Sequence, residues 1–216
     1  MTKKIFITLI ILAFLAISAY GDVTGNTTDP SQIGVGARPL GMGKAFVALS
    51  GDISDIFINP SGLTSCDGLK LGSMSATLIS DFNYVVLGGA YPFDFGTLGA
   101  GYINLGTSDI PVTTLGPGGI PIPIGSTNYN SSVLFLSYAS KLDRFLDFDF
   151  AKNTSVGGSA KIFMQGFSGG GSSLEGGTGA GLDIDLGAQY ELNKWATLGL
   201  TLQNCLPASL GGKLPG

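Results

Sequence analysis

Residues 179–204 read GAGLDIDLGAQYELNKWATLGLTLQN. The even positions through 192 are Ala180, Leu182, Ile184, Leu186, Ala188, Tyr190 and Leu192, while the odd ones include Asp183, Asp185, Gln189 and Glu191. Period two marks a strand with one apolar and one polar face. Its length suits a membrane-barrel strand of about 9–11 residues. The next segment repeats the pattern, with Ala196, Leu198, Leu200 and Leu202 against Thr197, Gly199, Thr201 and Gln203. Directly paired residues share a face. Even must therefore oppose even across the turn at Asn193-Lys194, which predicts an odd-numbered turn there.

Upstream, residues 156–167 alternate again, with Ala160, Ile162 and Met164 against Ser159, Lys161 and Gln165. Weaker runs at 69–80, 83–91, 96–104 and 131–141 bring the count to about seven strands. Their connections are short at 81–83, 92–95 and 193–194, intermediate at 142–154, glycine-rich at 168–178 and long at 105–130. Outer-membrane barrels put short turns in the periplasm and longer loops outside. A first strand running outward from residue 69 satisfies that asymmetry. Counting the segment around Phe46 as wall would invert it, so Phe46 is assigned inside the barrel.

Only 12% of the 216 residues are charged, about half the share of an ordinary soluble domain, and mean hydropathy is +0.37. Such a chain buries an unusual share of its surface or faces lipid. Net charge is −4 with no basic patch, which argues against nucleic acid as a partner. Histidine is absent, so the chain holds no Ser-His or Cys-His nucleophile pair. Cys66 and Cys205 give no metal-ligand spacing, and no cofactor is expected. If the strands span a membrane, these two cysteines sit at opposite faces and are not bonded to each other.

Lys3 and Lys4 precede an apolar run over residues 5–17, and small residues follow to Gly21. That is the layout of a cleaved secretory leader over residues 1–21. The run is shorter than the ~20 residues of a spanning helix.

Residues 34–63 read GVGARPLGMGKAFVALSGDISDIFINPSGL. Glycines allow tight turns, residues 45–49 suit a short strand, and Ser50 or Asp52 would cap a helix running to Ile58. Pro60 ends it, because the residue before proline avoids the helical region. Gly41-Met42-Gly43-Lys44-Ala45-Phe46-Val47-Ala48, then Asp52 to Asp55, then Asn59-Pro60-Ser61-Gly62-Leu63, resembles the N-terminal hatch of the outer-membrane fatty-acid-transporter-like (FadL-type) barrels. The PorV/PorQ branch is the most similar, although its usual tripeptide is Asn-Pro-Ala. The resemblance implies an all-β transmembrane antiparallel barrel. A lead-in and luminal hatch would occupy residues 22–68, and the first half of a wall of about fourteen strands residues 69–216, as an open curved sheet. It implies a bacterial outer-membrane location, with lipid as one partner and hydrophobic small molecules or type IX secretion proteins as others. It also makes Gly41, Gly43, Asn59 and Pro60 candidate gating residues.

Lys161, Asp183, Asp185 and Gln189 share the polar face and are read as lumen-facing. Paired carboxylates suit glycoside hydrolysis, but a hydrated interior with Lys161 paired to Asp183 or Asp185 is the better reading. A lysine facing mid-membrane lipid would cost ~2–4 kcal/mol. A symmetric hairpin centred on Ser173 would pair Lys161 with Asp185. The protein is thus expected to be a conduit or docking component rather than an enzyme. The alternative from another class is a soluble secreted all-β adhesin or lectin, against which the apolar outward rows argue.

Overall fold

A computed structural model of the chain describes residues 29–147, 149–169 and 178–206. The expected leader lies outside these residues, as does most of the glycine-rich loop after Gly169. Seven strands form one antiparallel sheet in sequence order: β1 (Lys70–Thr77), β2 (Asn83–Phe93), β3 (Gly96–Leu115), β4 (Pro121–Lys141), β5 (Thr154–Gly169), β6 (Gly179–Asn193) and β7 (Ala196–Leu202). The sheet curls like half a barrel. β1 and β7 are its two edges and do not pair with each other.

Before the strands come a short helix (Ala37–Gly41), a helical turn (Asp55–Ile58) and two 3-10 turns (Pro30–Ile33 and Pro60–Ser65). This N-terminal segment packs on one face of the sheet, here the inner face. Ile53 lies against Gly72 of β1, Phe57 against Gly101 of β3, Pro60 against Gly157 of β5, and Val47 against Gly199 of β7. The segment therefore reaches from one edge of the sheet to the other.

Alternation sorts the side chains as period two requires. On β6 the outward Leu182, Ile184 and Leu186 are exposed, while Asp185 and Gln189 are buried inward. The outward Leu134 and Leu136 of β4 and Leu198 and Leu200 of β7 continue the apolar row. Opposite, Ile56, Phe57 and Leu63 join Val86, Ile103, Val133 and Phe135 in an apolar core under β2–β4.

Four sequence expectations change. Residues 105–130 are not a loop: β3 and β4 run on as a long hairpin with two register shifts. Among the described residues, the β3 arm beyond Gly106 has no partner in β2, and the β4 arm before Thr127 has none in β5. Pro111, Pro121 and Pro123 thus sit in a two-stranded ribbon, where proline is tolerated. Residues 45–49 form turns, not a strand, because the carbonyls of Val47 and Leu49 are taken by side chains of neighbouring elements. The helix expected up to Ile58 shrinks to one turn whose N-cap, Ser54, makes no side-chain cap bond; Asp52 instead accepts from the Ser54 amide. The β6–β7 turn is a two-residue loop, with Asn193 paired to Ala196. A bulge at Leu192 then restores even-to-even pairing, seen in Tyr190 opposite Leu198 and Ala188 opposite Leu200. A bulge adds one residue to one strand, which is what parity needs. The thiols of Cys66 and Cys205 are both free.

Candidate functional site: the seat of the N-terminal segment

An irregular backbone buried against a sheet must find partners for its polar groups. Here the inner side chains of β4–β7, with Asn59, supply them. Gln189 donates through Nε2 to the carbonyls of Val47 (3.0 Å) and Leu49 (2.8 Å). Gln203, just past β7, reaches the Phe57 carbonyl at 3.3 Å. Ser137 and Ser159 bond each other at 2.7 Å and lie 3.5 and 3.4 Å from the Ile56 carbonyl. Thr64 donates to Ser155 of β5 at 2.8 Å.

Asn59 is the centre of this network and is fully buried. Its extended backbone (φ −150°) is the conformation that a following proline requires. Its Oδ1 accepts from the Ser61 hydroxyl at 2.7 Å and the Ser61 amide at 3.2 Å. Its Nδ2 donates to the Val47 carbonyl at 2.7 Å, with the carbonyls of Ala188 and Leu200 3.4 Å away. One side chain thus ties a loop of the segment to its own turn at the β6–β7 seam.

The seat is also shaped by missing side chains. Gly157 and Gly187 are cross-strand partners. A Cβ on Gly157 would lie 2.6 Å from the backbone of Pro60 and Ser61, and one on Gly187 would overlap Asn59 Oδ1. Pro60 and Asn59 fill the notch these two glycines leave. Neither glycine stands out by composition, but each lies within a strand at a position of inner-face parity. Glycine inside a strand marks a close approach, and that was the signal available.

The inward Lys161 is held by charge. Its Nζ lies 2.7 Å from Asp185 Oδ1, both side chains are buried, and it also bonds Asn204 Oδ1. The rings of Phe135 and Phe163 lie 6.0 and 5.5 Å from the ammonium. In register Lys161 opposes Asp183, not Asp185; the hairpin slips two residues from the symmetric pairing and keeps the face. Asp183 accepts from the Leu206 amide at 3.0 Å.

The other two predicted gating residues lie elsewhere. Gly41 ends the short helix and Gly43 (φ +63°) follows it, both exposed with open space around the Cα. They shape a surface turn and do not touch the seat. Among the described residues, no group of three His, Cys, Asp or Glu side chains is placed to hold a metal. No family model, curated protein or solved structure matches the chain.

Asp55, in the same segment, has one satisfied and one unsatisfied oxygen. Oδ2 accepts from the amides of Gly51 (2.9 Å) and Asp52 (3.1 Å). Oδ1 is buried without a partner. Burial is the main cause that pushes the carboxyl up to about 7; the two amides and Arg38 oppose it, and the Asp52 charge adds to it.

Proposed function

We propose that this chain forms wall and hatch of a bacterial outer-membrane β-barrel of the fatty-acid-transporter-like or PorV type. It would serve hydrophobic cargo or exported proteins as a conduit or docking component. The supporting observation is the polarity of the sheet. Its outer face carries an exposed apolar row across β2–β7, whereas a lysine, an aspartate and a glutamine are buried inside. In water that arrangement exposes contiguous apolar surface without return; in a bilayer it is the ordinary alternation of a barrel strand.

Two further features fit. Tyr91, Phe93, Phe95 and Tyr138 form a chain of ring contacts beside the β2–β3 turn, and Trp195 stands exposed at the β6–β7 turn at the same end. Barrel walls carry aromatic girdles at the interface. Among the described residues the outer edges of β1 and β7 are unpaired, and a wall set in hydrocarbon needs partners for those backbone groups. Washing membranes with alkaline carbonate tests the reading. The protein stays in the pellet if the wall is lipid-embedded. A soluble adhesin or lectin would be released.

A further inference from the structure

The buried oxygen Oδ1 of Asp55 has no hydrogen-bond partner, and that carries a cost. Gly62 presses on the carboxyl so closely that a Cβ there would lie 2.7 Å from Asp55 Cγ, which leaves no room for a compensating partner on that side. Oδ2 meanwhile holds the amides of Gly51 and Asp52. This loop continues from Val47 and Leu49, whose carbonyls Asn59 and Gln189 grip. One carboxyl therefore sits at the base of the loop that lies over β6 and β7.

We propose that Asp55 is a proton-operated latch: neutral, it lets the 47–58 region seat against the sheet; ionised, it favours release of that region. A buried carboxylate with an unmade hydrogen bond is costly, whereas the neutral acid is much less so. The charged groups around it do not remove that cost. Asp52 belongs to the same loop, and Arg38 of the short helix acts on Asp55 only weakly compared with burial. Lys70 of β1 is committed to the Gly51 carbonyl at 3.0 Å and to Asp67 at 3.5 Å. The turn from Pro60 to Ser65 brings no ionisable side chain against it.

The direction follows from linkage. In the released segment the carboxyl ionises near its ordinary value, about 4. In the seated segment it keeps its proton to about 7. Between these values the released form binds fewer protons, so release becomes about tenfold more favourable for each pH unit. Above about 7 both forms are ionised and the dependence levels off. The segment is seated most firmly in acid.

Hydrogen exchange of the full chain in detergent or nanodiscs, corrected for the intrinsic rate, reads this directly. Protection of peptides covering residues 47–58 should fall about tenfold per unit from pH 5 to 7 and then flatten. Asp55→Asn, which stays neutral, should keep acid-level protection throughout, and Asp52→Asn should keep the wild-type slope. An infrared band of a protonated carboxyl should fade with a midpoint near 7 in the wild type, whether or not the Asp55→Asn protein folds. A flat wild-type profile, or a slope that survives Asp55→Asn, overturns the latch. Neither result bears on membrane residence, which the carbonate wash decides separately.

Discussion

The inner face holds the N-terminal segment in two different ways. Under β2–β4 the contact is apolar, with Ile56 and Phe57 packed on Ile103, Val133 and Phe135 and an edge-on ring pair of Phe57 with Phe135 at 5.0 Å. Under β5–β7 it is polar and notched, with Asn59, Pro60 and Gln189 set between glycines and an ion pair nearby. Apolar packing tolerates small changes of shape. Hydrogen bonds and glycine notches admit one register. The first half supplies adhesion and the second fixes position, and substitutions should separate the two.

The largest loss is expected from Lys161→Met, which leaves Asp185 buried without its partner. Breaking such a pair costs about 3–5 kcal/mol, whereas replacing both members is often near neutral. Lys161→Met with Asp185→Leu should therefore recover most of the loss in a urea titration of the refolded protein. If the double variant is no better than the single, the ion pair is not the reason for the loss.

Next comes Gly187→Ala, which overfills the notch occupied by Asn59. Overpacking of this kind costs about 1–3 kcal/mol, and exchange should rise in residues 57–64 more than in the strands. Equal protection in both proteins would mean that the notch does not fix the segment.

In the apolar half, Ile56→Val should cost only about 0.5–1.5 kcal/mol and leave exchange at Asn59 unchanged. A disturbance that spreads to the Gln189 contacts would show that the halves do not act separately. Smallest of all is Gly41→Ala. With ordinary backbone geometry and open space around it, it should change stability by no more than about 0.5 kcal/mol. A larger effect, or a changed permeation rate at equal stability, would support the gating role that the motif implies for Gly41.

The polar half was the more legible in sequence. Strict alternation over Asp183, Asp185, Gln189 and Lys161 is enough to mark their shared face, because register slips by two preserve it and slips by one do not. The hairpin did slip by two, and the lysine kept the same face as Asp185. The distal arms of β3 and β4 were not legible. Pro111, Pro121 and Pro123 are loop residues by local chemistry, yet they lie in the paired arms of β3 and β4, which among the described residues have no third strand beside them; the glycines from 116 to 119 do form the turn between the arms. Parity at the β6–β7 turn was legible, but the device was not, since a bulge and an odd-numbered turn solve the same constraint. Asn59-Pro60 was visible as a stop signal. Its receptor, Gly157 with Gly187 on the β5–β6 hairpin, lies far along the chain from Asn59-Pro60, and no local pattern records that contact.

The claim on which the functional reading rests is that the outward apolar rows face hydrocarbon. Single cysteines at Leu136, Ile184 and Leu200, each carrying a small fluorophore in a Cys66→Ser, Cys205→Ser background, test it most directly in bilayers containing lipids brominated along the acyl chain. Strong quenching is predicted at all three positions, with little at a probe replacing Gln203 on the inner face. If the three outward probes are unquenched and react freely with a membrane-impermeant thiol reagent before labelling, the sheet does not line a membrane barrel and the account fails.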